Sequence, residues 1–360
     1  MIGSMLKGLP APLTGEKCVR KEPCRVCGSQ EGIKIGEVDY WDIQSSDLVK
    51  CPNCQHTQLD PMLNEEETAR GCLAYYIEEG LRSGQQEMQR NAVRNFRRGV
   101  LFARGLQKRG EQPQQILELG PGSGYFSQGI QFVFPEAQVT VMDVNQEVLD
   151  FNKSHHGYAT VQGIPDRHVV ELDNRFDLVI ARDILEHVTD VRLVVQQVKK
   201  YLKKGGLFHF ITPNGQEDVW KHYLRYKNHH EPSELLINHV NYFDGKGLKE
   251  LLKQEGLNPV EYYTYKIKTS LKGKGRKNKP KLVADSSKRR AAGDYIGREK
   301  ELQAESWDKQ SILNEWYINP QNKGLAYAYS SFQHGVLFKI NPEYNVGHEF
   351  YGIFRKESSK

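Results

Sequence analysis

Short runs of apolar residues alternate with amphipathic stretches from about residue 115 onward, and this alternation predicts parallel strands connected by helices. Apolar and β-branched runs that are bounded by glycine, proline or polar residues are typical of buried strands. The predicted strands are Ile116–Leu119, Gln138–Val144, Tyr158–Val161, Phe176–Ala181, Leu207–Thr212, Val260–Ile267 and Gly347–Phe354. The pattern therefore indicates the α/β class.

Residues 63–110 carry a different pattern, in which helix-forming residues place apolar side chains at i, i+3 and i+4. Gly80 and Gly110 end the two parts of this pattern, so we expect two helices. These helices would connect an N-terminal unit, residues 1–62, to the sheet.

Three glycines, Gly120, Gly122 and Gly124, follow the first predicted strand and precede a predicted helix over residues 125–134. Glycine permits a sharp turn and lets the backbone approach a ligand with no Cβ in the way. The helix that follows presents free N–H groups and the positive end of its dipole to the turn. A polar or anionic ligand is therefore expected at this turn.

The second predicted strand ends on a carboxylate, Asp143. Two carboxylate oxygens can accept hydrogen bonds from the vicinal hydroxyls of a ribose, and Rossmann-type folds use an acid near this spacing. The alternative is that Asp143 only caps the helix that starts near Asn145.

The segment from Glu118 to Gly124 resembles the first motif, E-x-G-x-G-x-G, of the class I S-adenosylmethionine (SAM) dependent methyltransferases. It departs from the G-x-G-x-x-G pattern of nicotinamide sites, although nicotinamide binding stays as an alternative. The resemblance implies a Rossmann-like sheet of seven strands in the order 3-2-1-4-5-7-6, with the last strand antiparallel. This core would cover residues 111–267 and 347–360, with residues 268–346 as an insertion.

The resemblance also implies a set of cofactor contacts. The glycines of the turn, with Glu118 and Asp143, would hold SAM. Backbone amides after the third strand would reach the adenine. Arg182 would contact the methionine moiety or order its loop. The residues expected at the cofactor are Glu118, Gly120, Gly122, Gly124, Asp143, Gly163, Ile164 and Arg182.

The loop after the fourth predicted strand contains Glu186 and His187, and helix signals resume only at Asp190. Open α/β sheets bind ligands at the carboxyl ends of their strands, where this loop lies. Histidine has an ordinary pKa near 6.5, so His187 is the candidate general base for methyl transfer, or alternatively a residue that only shapes the pocket. His239 and Tyr242, just before a predicted helix, are candidate substrate contacts.

Two C-x-x-C pairs lie in the N-terminal unit and predict a closed zinc site with four thiolate ligands. A ribbon this small has almost no hydrophobic core, so we expect the structural metal to supply much of its folding free energy. Unrelated reduced thiols are the alternative, and Cys18 could replace one ligand. The predicted zinc ligands are Cys24, Cys27, Cys51 and Cys54.

Positive charge is concentrated in one segment. Residues Lys266–Arg290 contain eleven Lys or Arg and one acid, Asp285, a local charge of +10, so the chain total of +5 leaves 5 − 10 = −5 elsewhere. The segment could contact phosphates of a nucleotide-linked sugar, a surface glycan or RNA, or it could be a solvated loop. Aromatic residues further along the insertion could line a sugar-binding wall or simply pack.

The combination of paired C-x-x-C knuckles, a helical connector and a SAM core resembles the zinc-ribbon methyltransferases of bacterial sugar pathways. The resemblance implies methyl transfer to a sugar or surface-glycan precursor. The insertion departs from the sugar C-methyltransferase pattern, so O-methylation is favoured over C-methylation. An RNA methyltransferase and a non-catalytic scaffold that binds a glycan or a protein are the alternatives.

The N-terminus shows no sustained apolar region of the kind that a secretory signal carries, and no apolar run reaches membrane-spanning length. We therefore expect a cytoplasmic protein that does not insert into a membrane and whose cysteines stay reduced.

Overall fold

The computed structural model describes residues 13–40, 44–229, 233–234, 239–265, 339–344 and 347–357. The basic segment, residues 266–290, and most of the expected insertion lie outside the described residues. In chain order, the strands and helices are β1 (Glu16–Val19), β2 (Glu31–Tyr40), β3 (Gln44–Lys50), β4 (Thr57–Asp60), α1 (Glu65–Lys108), β5 (Gln115–Leu119), α2 (Tyr125–Val133), β6 (Gln138–Asp143), α3 (Gln146–His156), β7 (Ala159–Gln162), β8 (Phe176–Arg182), α4 (Val191–Tyr201), β9 (Leu202–Pro213), α5 (Gln216–His229), β10 (Ser233–Glu234), β11 (Asn241–Tyr242), α6 (Gly245–Gln254), β12 (Leu257–Tyr265) and β13 (Glu349–Lys356).

The larger sheet has seven strands in the order β12-β13-β9-β8-β5-β6-β7. The five strands from β5 to β9 run parallel to one another, and β13 is antiparallel to both β9 and β12. The predicted α/β class and a mostly parallel seven-stranded sheet are thereby confirmed. Because β5, β6 and β8 are parallel neighbours, their carboxyl ends meet at one edge of the sheet.

Helix α4 shows how the pattern of apolar residues holds the larger sheet together. Asp190 caps the helix by accepting hydrogen bonds from the backbone N–H groups of Arg192 and Leu193. Val194 and Val198, at helical spacing, are fully buried in the same apolar cluster as the strand residues. Burial of each such side chain stabilises the fold by about 1.5–3 kcal/mol. The cap also fixes the end of the loop that precedes α4.

Helix α1 is one continuous helix of 44 residues, where the sequence predicted two helices that end at Gly80 and Gly110. Asn64 and Glu67 form a capping box at its start. A glycine inside a helix costs only about 1 kcal/mol relative to alanine, which the helix-forming residues on both sides offset. Gly80 therefore does not end the helix.

Helices α1 and α2 cross at two glycines. A Cβ on Gly99 would stand 2.0 Å from the carbonyl oxygen of Phe126, and one on Gly129 would stand 2.0 Å from that of Phe96. The two backbones are therefore in direct contact, and α1 is anchored beside the helix that follows the glycine turn. None of the described helices combines the length and the apolarity needed to cross a bilayer.

The second sheet joins strands from two distant parts of the chain. Its order is β1-β2-β3-β4-β11, with β10 paired parallel to β2. The strands of the expected unit, residues 1–62, therefore share their sheet with β10 (Ser233–Glu234) and β11 (Asn241–Tyr242). The physical reason is that β4 would otherwise be an edge strand with unpaired backbone groups, and β11 pairs with it. We call this sheet with its strands β1–β4, β10 and β11 the ribbon sheet.

The ribbon sheet also has a hydrophobic core, contrary to the expectation that it has almost none. Ile35, Leu48 and Leu59 from the sheet are almost fully buried. Val219 and Tyr223 of α5 pack into the same cluster. The apolar residues of α5 complete the core, so packing contributes to the cohesion of this sheet.

Candidate active site at the carboxyl end of the larger sheet

The glycine turn after β5 has the backbone that the sequence predicted. Gly120, Gly122 and Gly124 have φ values of +60°, +52° and +72°. A Cβ on Gly120 would stand 2.1 Å from the side chain of Ile184, and one on Gly124 would stand 2.0 Å from that of Asn152. Nothing lies within 4 Å of the position that a Cβ on Gly122 would take. The turn is therefore packed on two sides and open at Gly122, which suits a ligand that approaches the backbone there.

Helix α3 holds this turn from the side, which the sequence did not reveal. The Asn152 amide nitrogen donates a hydrogen bond to the carbonyl oxygen of Gly122, at 2.8 Å. His156 Nε2 lies 2.9 Å from the carbonyl oxygen of Ser123 and donates to it. No short motif marks these contacts, because they join a loop to a helix about 30 residues later.

Glu118 is 2% exposed and accepts a hydrogen bond from the hydroxyl of Ser127. Burial raises the pKa of Glu118 to about 7. The contact ties β5 to the first turn of α2 and so shapes the glycine turn from inside. A direct contact between Glu118 and the cofactor stays a prediction.

Asp143 lies at the carboxyl end of β6, beside the glycine turn in the sheet. One of its carboxylate oxygens accepts a hydrogen bond from the backbone N–H of Asn145, at 2.9 Å. Asn145, not Asp143, is the N-cap of α3. Burial raises the pKa of Asp143 to about 6. A carboxyl group held in this way beside a glycine turn fits a ligand with neighbouring hydroxyls.

Gly163 does not offer its amide to a ligand as the resemblance implied. Its backbone N–H donates a hydrogen bond to the carbonyl oxygen of Asp143, at 3.1 Å. Strand β7 ends at Gln162, which pairs with Asp143, and this hydrogen bond extends the pairing between β6 and β7 by one residue. Ile164 is half-buried, and its carbonyl oxygen accepts from the N–H of Arg167.

Arg182, at the end of β8, lies between the two crossing helices. Its guanidinium carbon is 4.1 Å from the centre of the Phe126 ring on α2, a cation–π contact. Its Nη2 donates to the side-chain oxygen of Asn95 on α1, at 3.4 Å. The structure therefore gives Arg182 a packing role, and its contact with a methionine moiety stays a prediction.

The loop between β8 and α4 brings Glu186 and His187 together with His239. The His187 and His239 rings are 5.1 Å apart, edge to face, and His187 Nε2 lies 3.9 Å from Glu186 Oε1. The side chain of His187 is 21% exposed, whereas that of Glu186 is 2% exposed. His187 is thus the member of the pair that a substrate can reach.

Glu186 is a buried acid with one unused oxygen. Its Oε2 accepts a hydrogen bond from the hydroxyl of Thr212, at 2.9 Å, while Oε1 is buried and has no hydrogen-bond partner among the described residues. Burial, followed by the nearby charge of Asp183, raises the pKa of Glu186 well above its ordinary value. Burial thus favours the neutral acid, whereas a positive charge on His187 would favour the ionised form.

The same cluster could hold a cation instead. Glu186, His187 and His239 each offer one ligand atom, and these atoms all lie within 4.8 Å of one another. A carboxylate and two imidazoles suit a divalent transition metal such as zinc or iron(II). Proton transfer and cation binding are therefore the two uses that the geometry allows.

Tyr242 is buried in the core of the ribbon sheet, only 1% exposed, so the expectation of a substrate contact is not met by its position. Its hydroxyl lies 3.2 Å from His222 Nε2. Successive residues of a strand point to opposite faces of the sheet, so Tyr242 and its neighbour Asn241 on β11 face opposite sides. The sequence alone could not show which of the two sides is the core of the ribbon sheet.

The four cysteines of the two C-x-x-C pairs come together in space. The Sγ atoms of Cys24 and Cys54, and those of Cys27 and Cys51, are 3.5 Å apart in each pair, and all four lie within 4.8 Å of one another. Cys18 lies on β1 against Gly32 and is not one of the four. The side chain of Cys72 lies outside the described residues.

This cluster fits a tetrahedral metal ion. Zn–S bonds of about 2.3 Å at tetrahedral angles place the sulfurs about 3.8 Å apart, close to the observed distances. Hydrogen bonding to Cys51 raises the pKa of Cys24 to about 12, and hydrogen bonding to Cys24 raises that of Cys54 well above its ordinary value. Hydrogen bonding to Cys24 lowers the pKa of Cys51, so these thiols share protons that a bound cation would replace.

Comparison with known proteins finds similarity to methyltransferases. Residues 88–262 match the profile of a family described as "Methyltransferase domain". The chain is 30% identical over 112 residues to a ubiquinone biosynthesis O-methyltransferase of Proteus mirabilis, covering 30% of this chain and 45% of that protein. It is 27% identical over 104 residues to a malonyl-[acyl-carrier protein] O-methyltransferase of Bacillus anthracis, covering 29% and 38%. The chain thus spans less than half the length of these relatives.

Solved structures with some likeness include a SAM-dependent methyltransferase of Methanosarcina mazei, with 14% identity and a TM-score of 0.39 over 69% of this chain and 95% of that one. A phosphoethanolamine N-methyltransferase 2 of Haemonchus contortus in complex with SAM has 14% identity and a TM-score of 0.36, over 68% and 49%. The family match shows a methyltransferase domain over residues 88–262, and both curated relatives are methyltransferases.

Proposed function

We propose that the protein transfers the methyl group of SAM to a hydroxyl of a sugar or surface-glycan precursor, with His187 as the general base. The observation that carries the proposal is the pair formed by a partly exposed His187 and a buried Glu186, on the loop whose Ile184 packs against Gly120 of the glycine turn. A hydroxyl must lose its proton during methyl transfer, and histidine is the side chain best suited to take it near neutral pH.

The two curated relatives described above are both O-methyltransferases, which supports oxygen as the acceptor atom. A sugar is supported by the cysteine cluster in front of the SAM domain, which this chain shares with the zinc-ribbon methyltransferases that it resembles. Carbon as the acceptor and RNA as the substrate are the competing assignments, and the basic segment of residues 266–290 favours RNA as the second candidate.

SAM supplies an electrophilic methyl group on a sulfonium when it is bound. The residues of this chain then have four tasks. The open backbone at Gly122 would admit the cofactor, and Asp143 would accept hydrogen bonds from its ribose hydroxyls. His187 Nε2 takes the proton of the acceptor hydroxyl. The positive charge that His187 gains favours the ionised form of Glu186, 3.9 Å away.

The proposed zinc ion has a structural task. Four cysteine ligands leave no open coordination position, so the ion cannot bind substrate or water directly. We assign it to holding the two knuckles of the ribbon sheet together. The sheet has its own core, so zinc adds to its stability and does not replace the packing.

The test is formation of S-adenosylhomocysteine with a panel of acceptors: nucleotide-sugars, a mixture of RNAs, and a quinol. We expect turnover with a nucleotide-sugar, a product that is an O-methyl ether by NMR, and loss of turnover in His187→Gln with SAM affinity kept. Turnover with RNA alone would replace the sugar assignment. SAM binding with undiminished biological activity in His187→Gln would instead support a non-catalytic scaffold.

A further inference from the structure

We propose that Asn241 is a positioning residue, which fixes the backbone around Glu186 and His187 and connects it to the cysteine-bearing ribbon sheet. The importance of this role rests on the proposed function, because it concerns the same loop. Asn241 belongs to β11 and is 2% exposed. No local motif marks it, and its partners come from two distant parts of the chain, residues 56–58 and 185–188.

Asn241 contacts the loop on both sides of Glu186. Its side-chain Nδ2 donates to the carbonyl oxygen of Val188, at 2.6 Å, and to that of Leu185, at 3.3 Å. Its backbone N–H donates to the carbonyl oxygen of Glu186, at 3.0 Å, and the N–H of Val240 donates to the same oxygen, at 2.8 Å. Every backbone carbonyl from Leu185 to Val188 except that of His187 is therefore held by this short strand.

These contacts fix the orientation of the amide. Because Nδ2 faces two carbonyl oxygens, the side-chain oxygen Oδ1 must face the other way, toward His56 Nε2 at 3.2 Å. A flipped amide would place oxygen against oxygen at both loop contacts. His56 is therefore the donor to Asn241, and it is fully buried against the ring of Phe243, at 5.2 Å between ring centres.

His56 in turn belongs to the second cysteine knuckle. Its carbonyl oxygen accepts a hydrogen bond from the N–H of Cys51, at 2.8 Å. Strand β11 pairs with β4, in which Asn241 stands opposite Gln58. A continuous set of contacts thus runs from Cys51 through His56 and Asn241 to the loop.

The first cysteine knuckle braces the far end of the same loop. Arg25 Nη1 lies 3.2 Å from a carboxylate oxygen of Asp190, the residue that caps α4. Arg192 Nη2 donates to the carbonyl oxygen of Val26. The loop is also constrained at its start, where Asp183 has φ of +55°, an uncommon backbone for a residue other than glycine. Asn241 holds the middle of the loop and thereby connects it to the ribbon sheet.

The experiment compares hydrogen–deuterium exchange in the holoprotein and in Asn241→Asp. The variant keeps size and the acceptor for His56, but it places an oxygen against the carbonyls of Leu185 and Val188. We expect exchange in the peptide covering residues 184–190 to become at least about tenfold faster. Exchange over residues 115–127, SAM affinity by calorimetry, and zinc content should stay at the values of the unmodified protein.

Two further variants complete the test. His56→Phe keeps a ring against Phe243 but removes the donor to Asn241, so it should loosen the same peptide to a smaller degree. Asn258→Asp changes an exposed asparagine whose amide contacts Glu357, and it should change neither peptide. Where an acceptor is turned over, Asn241→Asp should lower kcat by about 10- to 100-fold with little change in the SAM dissociation constant.

Unchanged exchange over residues 184–190 in both Asn241→Asp and His56→Phe would overturn the proposal. So would faster exchange spread equally over residues 115–127, or loss of zinc in step with it, because a general loss of structure would then be the cause. Exchange and SAM binding need no acceptor, so these outcomes are separate from any failure of the sugar assignment.

Discussion

Replacing Asp143 with asparagine is expected to stabilise the protein without cofactor and to weaken its binding of SAM. The carboxyl group is buried at the end of β6, and burial raises its pKa from 3.8 to about 6. At about 1.4 kcal/mol per pKa unit, the difference corresponds to about 3 kcal/mol as an upper limit, and solvent near this partly exposed group reduces it to about 1–3 kcal/mol. Asparagine keeps the acceptor for the N–H of Asn145.

The pH dependence of stability has a definite sign. Below pH 3.8 the carboxyl group is protonated in both the folded and the unfolded protein, so the variant and the parent should be equally stable. Between pH 3.8 and about 6 only the unfolded state ionises, so the parent loses stability relative to Asp143→Asn as pH rises. Above about pH 6 both states are ionised, and the difference stays constant.

Cofactor binding should respond in the opposite direction. Ribose hydroxyls donate better to a carboxylate than to a neutral acid, so SAM affinity of the parent should fall by about tenfold per pH unit below about pH 6. Loss of charge-assisted hydrogen bonds should weaken SAM binding by Asp143→Asn about 10- to 150-fold at pH 7.5.

The assays are urea unfolding at pH 7.5 and pH 4.0 without SAM, and isothermal titration with SAM over the same range. Asp150→Asn, an exposed position on α3, is the control and should change neither quantity. The reasoning is refuted if Asp143→Asn is less stable than the parent at pH 7.5, or if it binds SAM as tightly.

Three further outcomes follow from the site. His187→Gln should bind SAM within about threefold of the parent but lower turnover about 10²- to 10⁴-fold, and equal turnover would remove His187 as the base. Gly122→Ala and Gly157→Ala both strain a positive φ in open space, at +52° and +73°, so both should lose about 1 kcal/mol of stability. Only Gly122→Ala should weaken SAM binding, by more than about tenfold, and equal affinities in calorimetry would place the ligand elsewhere. Elemental analysis should find one zinc per chain in the parent and much less in Cys51→Ser, whereas equal contents would exclude the four-cysteine site.

The parts of the fold that are local in sequence could be predicted before the structure. The glycine turn and the carboxylate at the end of β6 are marked by residue types whose backbone or chemistry is special, so their positions could be read directly. The two C-x-x-C pairs are equally local, and the structure brings all four sulfurs together. The helical segment from Asn64 could be recognised, but the sequence could not show whether Gly80 divides it into two helices.

The parts that depend on distant pairing could not be predicted. Asn241 pairs with a strand more than 180 positions earlier, and nothing near it in the sequence specifies that partner. For the same reason, Tyr242 was expected at the substrate, while the pairing of β11 turns it into the core of the ribbon sheet. The amide of Gly163 was assigned by resemblance, but the extension of the pairing between β6 and β7 uses it.

The shared ribbon sheet has a consequence for synthesis of the chain. Both cysteine knuckles are complete once Cys54 has been synthesised, but β11 begins 241 − 54 = 187 positions later. At about 5–20 residues per second, the nascent ribbon waits roughly 10–40 s for its closing strand, with the side of β4 exposed. An ion captured early by the knuckles would keep the unfinished ribbon in register during this interval, when an open strand edge is most prone to pair with another chain.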